Sequence, residues 1–398
     1  MLVEGWSRAS HALPVPLTQQ ERNRKTRGMS VTDRTTTTNR MDPSVSDDVG
    51  EDVLFARQGR LGIITLNRPK ALNALTTAMC IAIKRQLDVW GEAEDVDAVL
   101  IEGAGERAFC AGGDVVRVAR SGQAGTDEWY QFFFHEYRMN STIGHFPKPY
   151  IAFLDGITMG GGFGVSVHGR FRVATERLLF AMPETGLGLI PDVGGGYVLP
   201  RLPGEVGRYL AFTGYRAKAA DSHAMGVATH VVPATRLPEL RQALIDAGSL
   251  DEERVADILT RFHEDPGEAP LWSVRDRIDR HFVGPRVETV LESLAGDSDA
   301  WAQQTREEML KKSPTSMKVT AEQLRRGAGL DLDEDLKMEF RIVNRIITRG
   351  HDFYEGVRAI LIDKDHKPHW SPARLEDVSD EEVAAHFASL GERELTFA

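Results

Sequence analysis

Cysteine is nearly absent from this 398-residue chain, which has only Cys80 and Cys110. That count rules out a scaffold built on disulfides, because small disulfide-held domains need several paired cysteines. Two thiols suit a reducing compartment; the cytoplasm is the expected location and the mitochondrial matrix the alternative. Long apolar runs are missing as well. None approaches the roughly 18 residues that a bilayer-crossing helix needs, so no membrane association is expected. The apolar stretch from His11 to Leu17 is short and broken by Pro14 and Pro16, unlike a secretory signal core. There is no surplus of positive charge either: 48 Lys+Arg stand against 59 Asp+Glu, for a formal net charge of −11. Nucleic-acid binding is therefore not expected, since phosphate backbones demand a basic surplus. An anionic small molecule needs only a local basic patch and stays open.

The chain divides into three stretches. Residues 1–50 carry Arg22, Arg24, Lys25, Arg27 and the run Thr35 to Thr38 without apolar periodicity, and read as a disordered extension. Such a leader resembles a transit peptide in its arginines, but Glu4, Glu21 and Asp33 count against one; a true start at Met29 or Met41 is a further option. Residues 51–232 read as α/β. Val53–Ala56 and Leu61–Leu66 flank a Gly59 turn as a hairpin, and Met79, Ile83, Leu87 and Trp90 mark a helix from about 77 to 94. Ala98–Ile101 and Tyr150–Leu154 are all-apolar, as in strands covered on both faces. Residues 120–128 read as polar loop. Residues 233–398 read as helical, with helices near 235–247, 251–262, 285–294, 298–311 and 332–349, and a last one opened by the capping box Ser379-Asp380-Glu381-Glu382.

Three segments depart from the amphipathic pattern. Arg107 to Asp114 ends in Ala-Gly-Gly-Asp behind a buried strand; Asp155 to Gly164 carries the triplet Gly160–Gly162; Ala181 to Gly196 places Glu184 and Asp192 in an apolar loop shaped by glycine and proline. Glycines after strands usually just make turns, and Glu184 suits the cap of a turn equally well. Together, however, exposed amide donors suit an oxyanion and an acid in apolar surroundings suits a base or nucleophile. The reaction class this implies is acyl or enolate chemistry on a carbonyl. Other signals are weaker. Gly103 to Ala108 fits G-x-G-x-x-A, but no second strand ending in an acid follows, so nucleotide-cofactor binding is not expected. His366 and His369 are separated by Lys367 and Pro368 and read as surface, so no metal site is expected. Cys110 reads as a buried thiol.

On these segments the sequence resembles the crotonase (enoyl-CoA hydratase/isomerase) superfamily, over about residues 52–375. The most specific stretches are Asp155–Gly169 and Phe180–Leu202; Ser313–Thr320 and Asp352–Asp365 resemble its thioester-hydrolase branch. The resemblance implies a spiral of ββα units with a helical C-terminal region. It implies oxyanion donors at the Gly113 and Gly161 N–H groups, a catalytic carboxylate at Glu184, a second acid at Asp192 and a substrate-pocket acid at Glu136. Arg68, Lys70 and Arg107 fall in segments the family uses near the nucleotide of coenzyme A. Hydratases of the family have a second catalytic Glu where this chain has Gly164, and many have glycine at the position of Asp192. The expected activity is hydrolysis of a short 3-hydroxyacyl-CoA thioester, 3-hydroxyisobutyryl-CoA first, with hydratase or isomerase activity as the alternative. Coenzyme A is then part of the substrate, no separate cofactor is expected, and the protein is expected to be a homo-oligomer.

Overall fold

The structure, a computed structural model, describes residues 50–397. The expected extension over 1–50 thus falls outside the described residues, Gly50 excepted.

Among the described residues nine strands form two sheets. The larger runs β1-β2-β3-β5-β7-β9, built from β1 (Val53–Gln58), β2 (Leu61–Leu66), β3 (Ala98–Gly103), β5 (Tyr150–Leu154), β7 (Phe171–Ala174) and β9 (His230–Val231). The smaller runs β4-β6-β8, from β4 (Ala108–Cys110), β6 (Ile157–Met159) and β8 (Leu179–Ala181). Among the described strands only β1 and β2 pair antiparallel with each other, Val53 opposite Leu66 and Gln58 opposite Leu61, as a hairpin across one turn requires. Successive turns of the chain lay one strand in the large sheet and the next in the small one: β3 then β4, β5 then β6, β7 then β8. This is the spiral of ββα units that the resemblance implies.

The apolar strands are buried on both faces. In β3, Val99 and Ile101 belong to the main core, whereas Ala98 and Leu100 face a second apolar layer closed by the helices Leu237–Ile245 and Glu252–Phe262. Helix α1 (Thr77–Glu92) buries Met79, Ile83, Leu87 and Trp90, and Thr76 caps it by accepting from the Met79 N–H.

Residues 120–128 are not one loop. Asp114 caps α2 (Val115–Ala124), and only three residues separate it from α3 (Glu128–Gly144). Within 120–124 only Arg120, Gln123 and Ala124 are exposed while Ser121 is buried, and so short a helix end is not distinguished from loop by periodicity alone. The G-x-G-x-x-A stretch leads into β4 and not into a helix, which removes the geometry a dinucleotide needs.

Beyond β9 the described residues contain helices and no strands. The helices Pro314–Gly327 and Leu332–Arg349 contribute Met317, Leu324, Leu336 and Phe340 to the same core as α1 and α3. The C-terminal helices therefore roof the α/β layer.

Candidate active site

The site forms where the small sheet meets α3. Strand β6 ends at the glycine triplet, and Gly161 opens the short helix α4 (Gly161–Gly164), so its N–H lies ahead of any intrahelical partner. Across from it, Leu75 exchanges backbone bonds with the Gly112 carbonyl and the Asp114 N–H. The Gly113 N–H is left without a protein acceptor among the described residues. The two loops touch: a Cβ placed on Gly112 would lie 3.9 Å from the Gly161 nitrogen, and one on Gly160 3.6 Å from the Gly112 Cα.

Glu184 reaches the same place. It opens a 3-10 turn after β8, and its Oε1 lies 3.2 Å from where a Gly160 Cβ would be. The side chain is buried and Oε2 has no hydrogen-bond partner. Burial, with repulsion from Asp192 second, holds its proton affinity well above the usual carboxylate range.

Helix α3 supplies the opposite wall. Phe132, Phe133, Glu136, Tyr137 and Asn140 recur at helical spacing and are all buried, so Glu136 enters the core on an otherwise apolar face. Its unpartnered Oε1 lies 2.6 Å from the position of a Gly161 Cβ, so any side chain there would have to displace the Glu136 carboxyl. Burial, then Asp192, raises its proton affinity too. Tyr137 donates to Asp192 Oδ2 at 2.7 Å. Asp192 is pushed up to about 6 by burial, with the Tyr137 bond pulling the other way.

The structure thus brings Gly113, Gly161, Glu184, Asp192 and Glu136 together. It treats the basic residues differently. Arg68 donates to the Ala74 carbonyl at 2.6 Å and pairs with Asp52 at 3.4 Å and Asp114 at 3.7 Å, so its guanidinium is already engaged. Lys70 and Arg107 are exposed. Cys110 is buried, with burial pushing its thiol up to about 12, which disfavours the thiolate.

Three contributors escaped the sequence reading. Asn140 is buried with both amide atoms unpartnered. Tyr137 holds Asp192, as above. His168 Nε2 donates to the Val193 carbonyl at 2.8 Å, and burial depresses its pKa to about 4, so the ring is neutral. The signals were present: Asn140 and Tyr137 follow Glu136 on the α3 face at i+4 and i+1, and His168 closes the Asp155–Gly169 stretch. Nothing local marks which acid they serve.

Gly164 lies beside this cluster. A Cβ there would sit 2.7 Å from both Asn140 Nδ2 and Val193 Cβ, so the space in which a hydratase carries its second acid is filled by protein.

The family model for enoyl-CoA hydratase/isomerase matches residues 61–387. A 3-hydroxyisobutyryl-CoA hydrolase, named as mitochondrial, from Danio rerio is 49% identical over 356 residues, 88% of this chain and 93% of its own. The human protein of the same name is 45% identical over 355 residues, 88% and 92% of the two chains. Among solved structures, a carnitinyl-CoA dehydratase from Mycobacterium thermoresistibile superposes with a TM-score of 0.82 at 41% identity, covering 87% of this chain and 99% of that one. An enoyl-CoA hydratase from Rhodobacter sphaeroides 2.4.1 gives 0.80 at 38%, covering 87% and 100%. The word mitochondrial in the curated names matches the alternative location, not the cytoplasm expected first. No helix among the described residues is long and apolar enough to cross a membrane. A family match over most of its length, joined to relatives nearly half identical across it, makes this chain a member of the enoyl-CoA hydratase/isomerase family.

Proposed function

We propose that the chain hydrolyses a short 3-hydroxyacyl-CoA thioester, with 3-hydroxyisobutyryl-CoA giving 3-hydroxyisobutyrate and CoA. The observation that carries this reading is Glu184 Oε1 lying against Gly160, whose backbone in turn meets Gly112, beside a Gly164 site too crowded for a second hydratase acid. Two relatives named as 3-hydroxyisobutyryl-CoA hydrolases, 49% and 45% identical, support the substrate. The two structures titled hydratase or dehydratase are less similar, at 38% and 41%, and support the fold equally well.

In this mechanism the thioester oxygen lies between the N–H groups of Gly113 and Gly161. They stabilise the negative charge of the tetrahedral intermediate, each donor being worth ~3 kcal/mol at the transition state. Glu184 adds an oxygen to the carbonyl carbon, either its own or that of a water it deprotonates. The C–S bond then breaks, the thiolate takes up a proton, and the acid is released after water has been consumed. Asp192, with a pKa near 6 and the Tyr137 hydroxyl on one oxygen, exchanges the protons of water and leaving thiol. Glu136 and Asn140 face the acyl chain and hold its 3-hydroxyl. Lys70 and Arg107 meet the nucleotide phosphates, with Arg68 shaping their loop. No separate cofactor or metal takes part, and the protein works as a homo-oligomer, a point sedimentation of the purified protein decides.

The test measures thiol release and the ultraviolet enone band in parallel. Wild-type protein should release free CoA from 3-hydroxyisobutyryl-CoA and leave the band of crotonyl-CoA intact. Loss of the band without free thiol would favour hydratase action and defeat the proposal. Glu184→Gln should cut turnover by about 10³-fold or more with a melting temperature no lower than that of the wild type.

A further inference from the structure

The turn that carries Asp192 is strained, and an acid from a distant helix grips it. Val193 has φ 56°, a left-handed backbone that a β-branched residue adopts only when its surroundings impose it. Directly after it, Gly194 caps the short helix α5 (Gly195–Val198), whose first N–H groups have no intrahelical acceptor. Two of these donors go to one side chain: the Gly194 N–H to Glu339 Oε2 and the Gly196 N–H to Glu339 Oε1, each at 2.8 Å. Gln323 Nε2 donates to the same Oε1 at 3.0 Å and to the Pro191 carbonyl at 2.7 Å. The grip therefore reaches the backbone on both sides of Asp192. Glu339 is fully buried in the Leu332–Arg349 helix, beside the equally buried Asp335. A buried acid is costly to keep, and a glutamine in its place has only one acceptor for two peptide donors.

From these contacts we propose that Glu339 is a positioning residue for thioester hydrolysis: its two oxygens lock the Pro191–Gly196 turn and so hold Asp192 against Tyr137 and beside Glu184. Its effect on turnover rests on the hydrolase reading above; the grip itself does not.

The experiment compares kcat, KM and melting temperature for wild type, Glu339→Gln, Asp192→Asn and the double variant. Glu339→Gln should lower kcat about 10- to 100-fold and leave KM within about three-fold, the signature of a misplaced catalytic group. In the Asp192→Asn background the same change should cost less than about three-fold, because its effect passes through Asp192. Unchanged kcat, or losses that multiply in full in the double variant, overturn the proposal. If Glu339→Gln does not fold, Gln323→Met removes the donor shared by Glu339 Oε1 and the Pro191 carbonyl and loosens the grip; a kcat loss of about three- to ten-fold with faster amide exchange at Gly194 and Gly196 supports the proposal, and faster exchange with no kcat loss overturns it. Amide hydrogen exchange at Gly194 and Gly196 reads the grip without substrate, and protection that persists in Glu339→Gln overturns it. A folded wild-type protein that releases no thiol from any 3-hydroxyacyl-CoA refutes the hydrolase reading instead, a result the exchange measurement keeps separate.

Discussion

Asp192 is an acid whose place in the fold works against its charge. Burial lifts it from 3.8 to about 6, so ionisation costs the native state more than the unfolded chain. The sign follows: its protonated form favours folding below pH ~4, and that contribution is lost as pH rises through about 6. Asp192→Asn should therefore raise stability at pH 7 by up to about 3 kcal/mol, the free energy of a roughly hundred-fold change in proton affinity, and flatten the pH 4–6 part of the stability curve. Denaturant titrations at pH 4 and pH 7 check both. Turnover should move the other way. Without Asp192 to exchange protons the asparagine variant should be slower, and because Asp192 repels a charge on Glu184, the acidic limb of its pH–rate profile should shift to lower pH. Tyr137→Phe does the opposite to Asp192. It removes the 2.7 Å bond that favours the ionised form, so the apparent pKa assigned to Asp192 should rise above 6. An NMR titration of the carboxyl group follows it. Glu184 and Asp192 were legible in the sequence because they interrupt an apolar, glycine-rich segment, whereas Glu136 was named only through the family resemblance. Their partners were not, since Tyr137 and Asn140 look like any residues of an aromatic helix face.

At the level of elements, the segments with strong periodicity or uninterrupted apolar runs form where the sequence places them. Thr77–Glu92, Tyr150–Leu154, Glu252–Phe262 and Leu332–Arg349 are examples. Pro314–Gly327 is a long helix that the sequence pattern does not mark. It is buried nearly all round, with Ser316, Lys318, Thr320 and Gln323 inside among its apolar residues, so no polar stripe alternates with an apolar one. Its Lys318 is satisfied by Glu288 at 2.7 Å and by the Val378 carbonyl at 2.8 Å, contacts that lie far along the chain. A prediction belongs to α4. Gly164→Glu puts a side chain into space held by Asn140 and Val193, which should cost about 1–3 kcal/mol and confer no loss of the crotonyl-CoA enone band. A lower melting temperature and an unchanged ultraviolet trace are the expected pair of readings.

For the whole molecule the decisive fact is a shared core. Phe282, fully buried, packs edge-on against Tyr209 at 5.3 Å and stacks on Phe212 at 6.4 Å, both on α6 (Val206–Thr213) of the α/β part. Trp301 stacks on the same Tyr209 at 6.0 Å. Phe282→Ala should cost about 3–5 kcal/mol and lower the midpoint of one transition, without separating a second. Calorimetry that resolves two transitions would show that the helices unfold apart from the sheets.

The sequence by itself determined the α/β layers, the family, and which glycines and acids are candidates, because periodicity and motif spacing are local properties of the chain. Only the tertiary structure decided which of those groups meet. The meeting of Glu184 with Gly160, the filling of the Gly164 site, and the hold of Glu339 on a turn 145 residues earlier all arise from chain segments distant in sequence. The engaged state of Arg68 is of the same kind. Such contacts are set by how the sheets and the roofing helices pack, and no window of residues contains both partners.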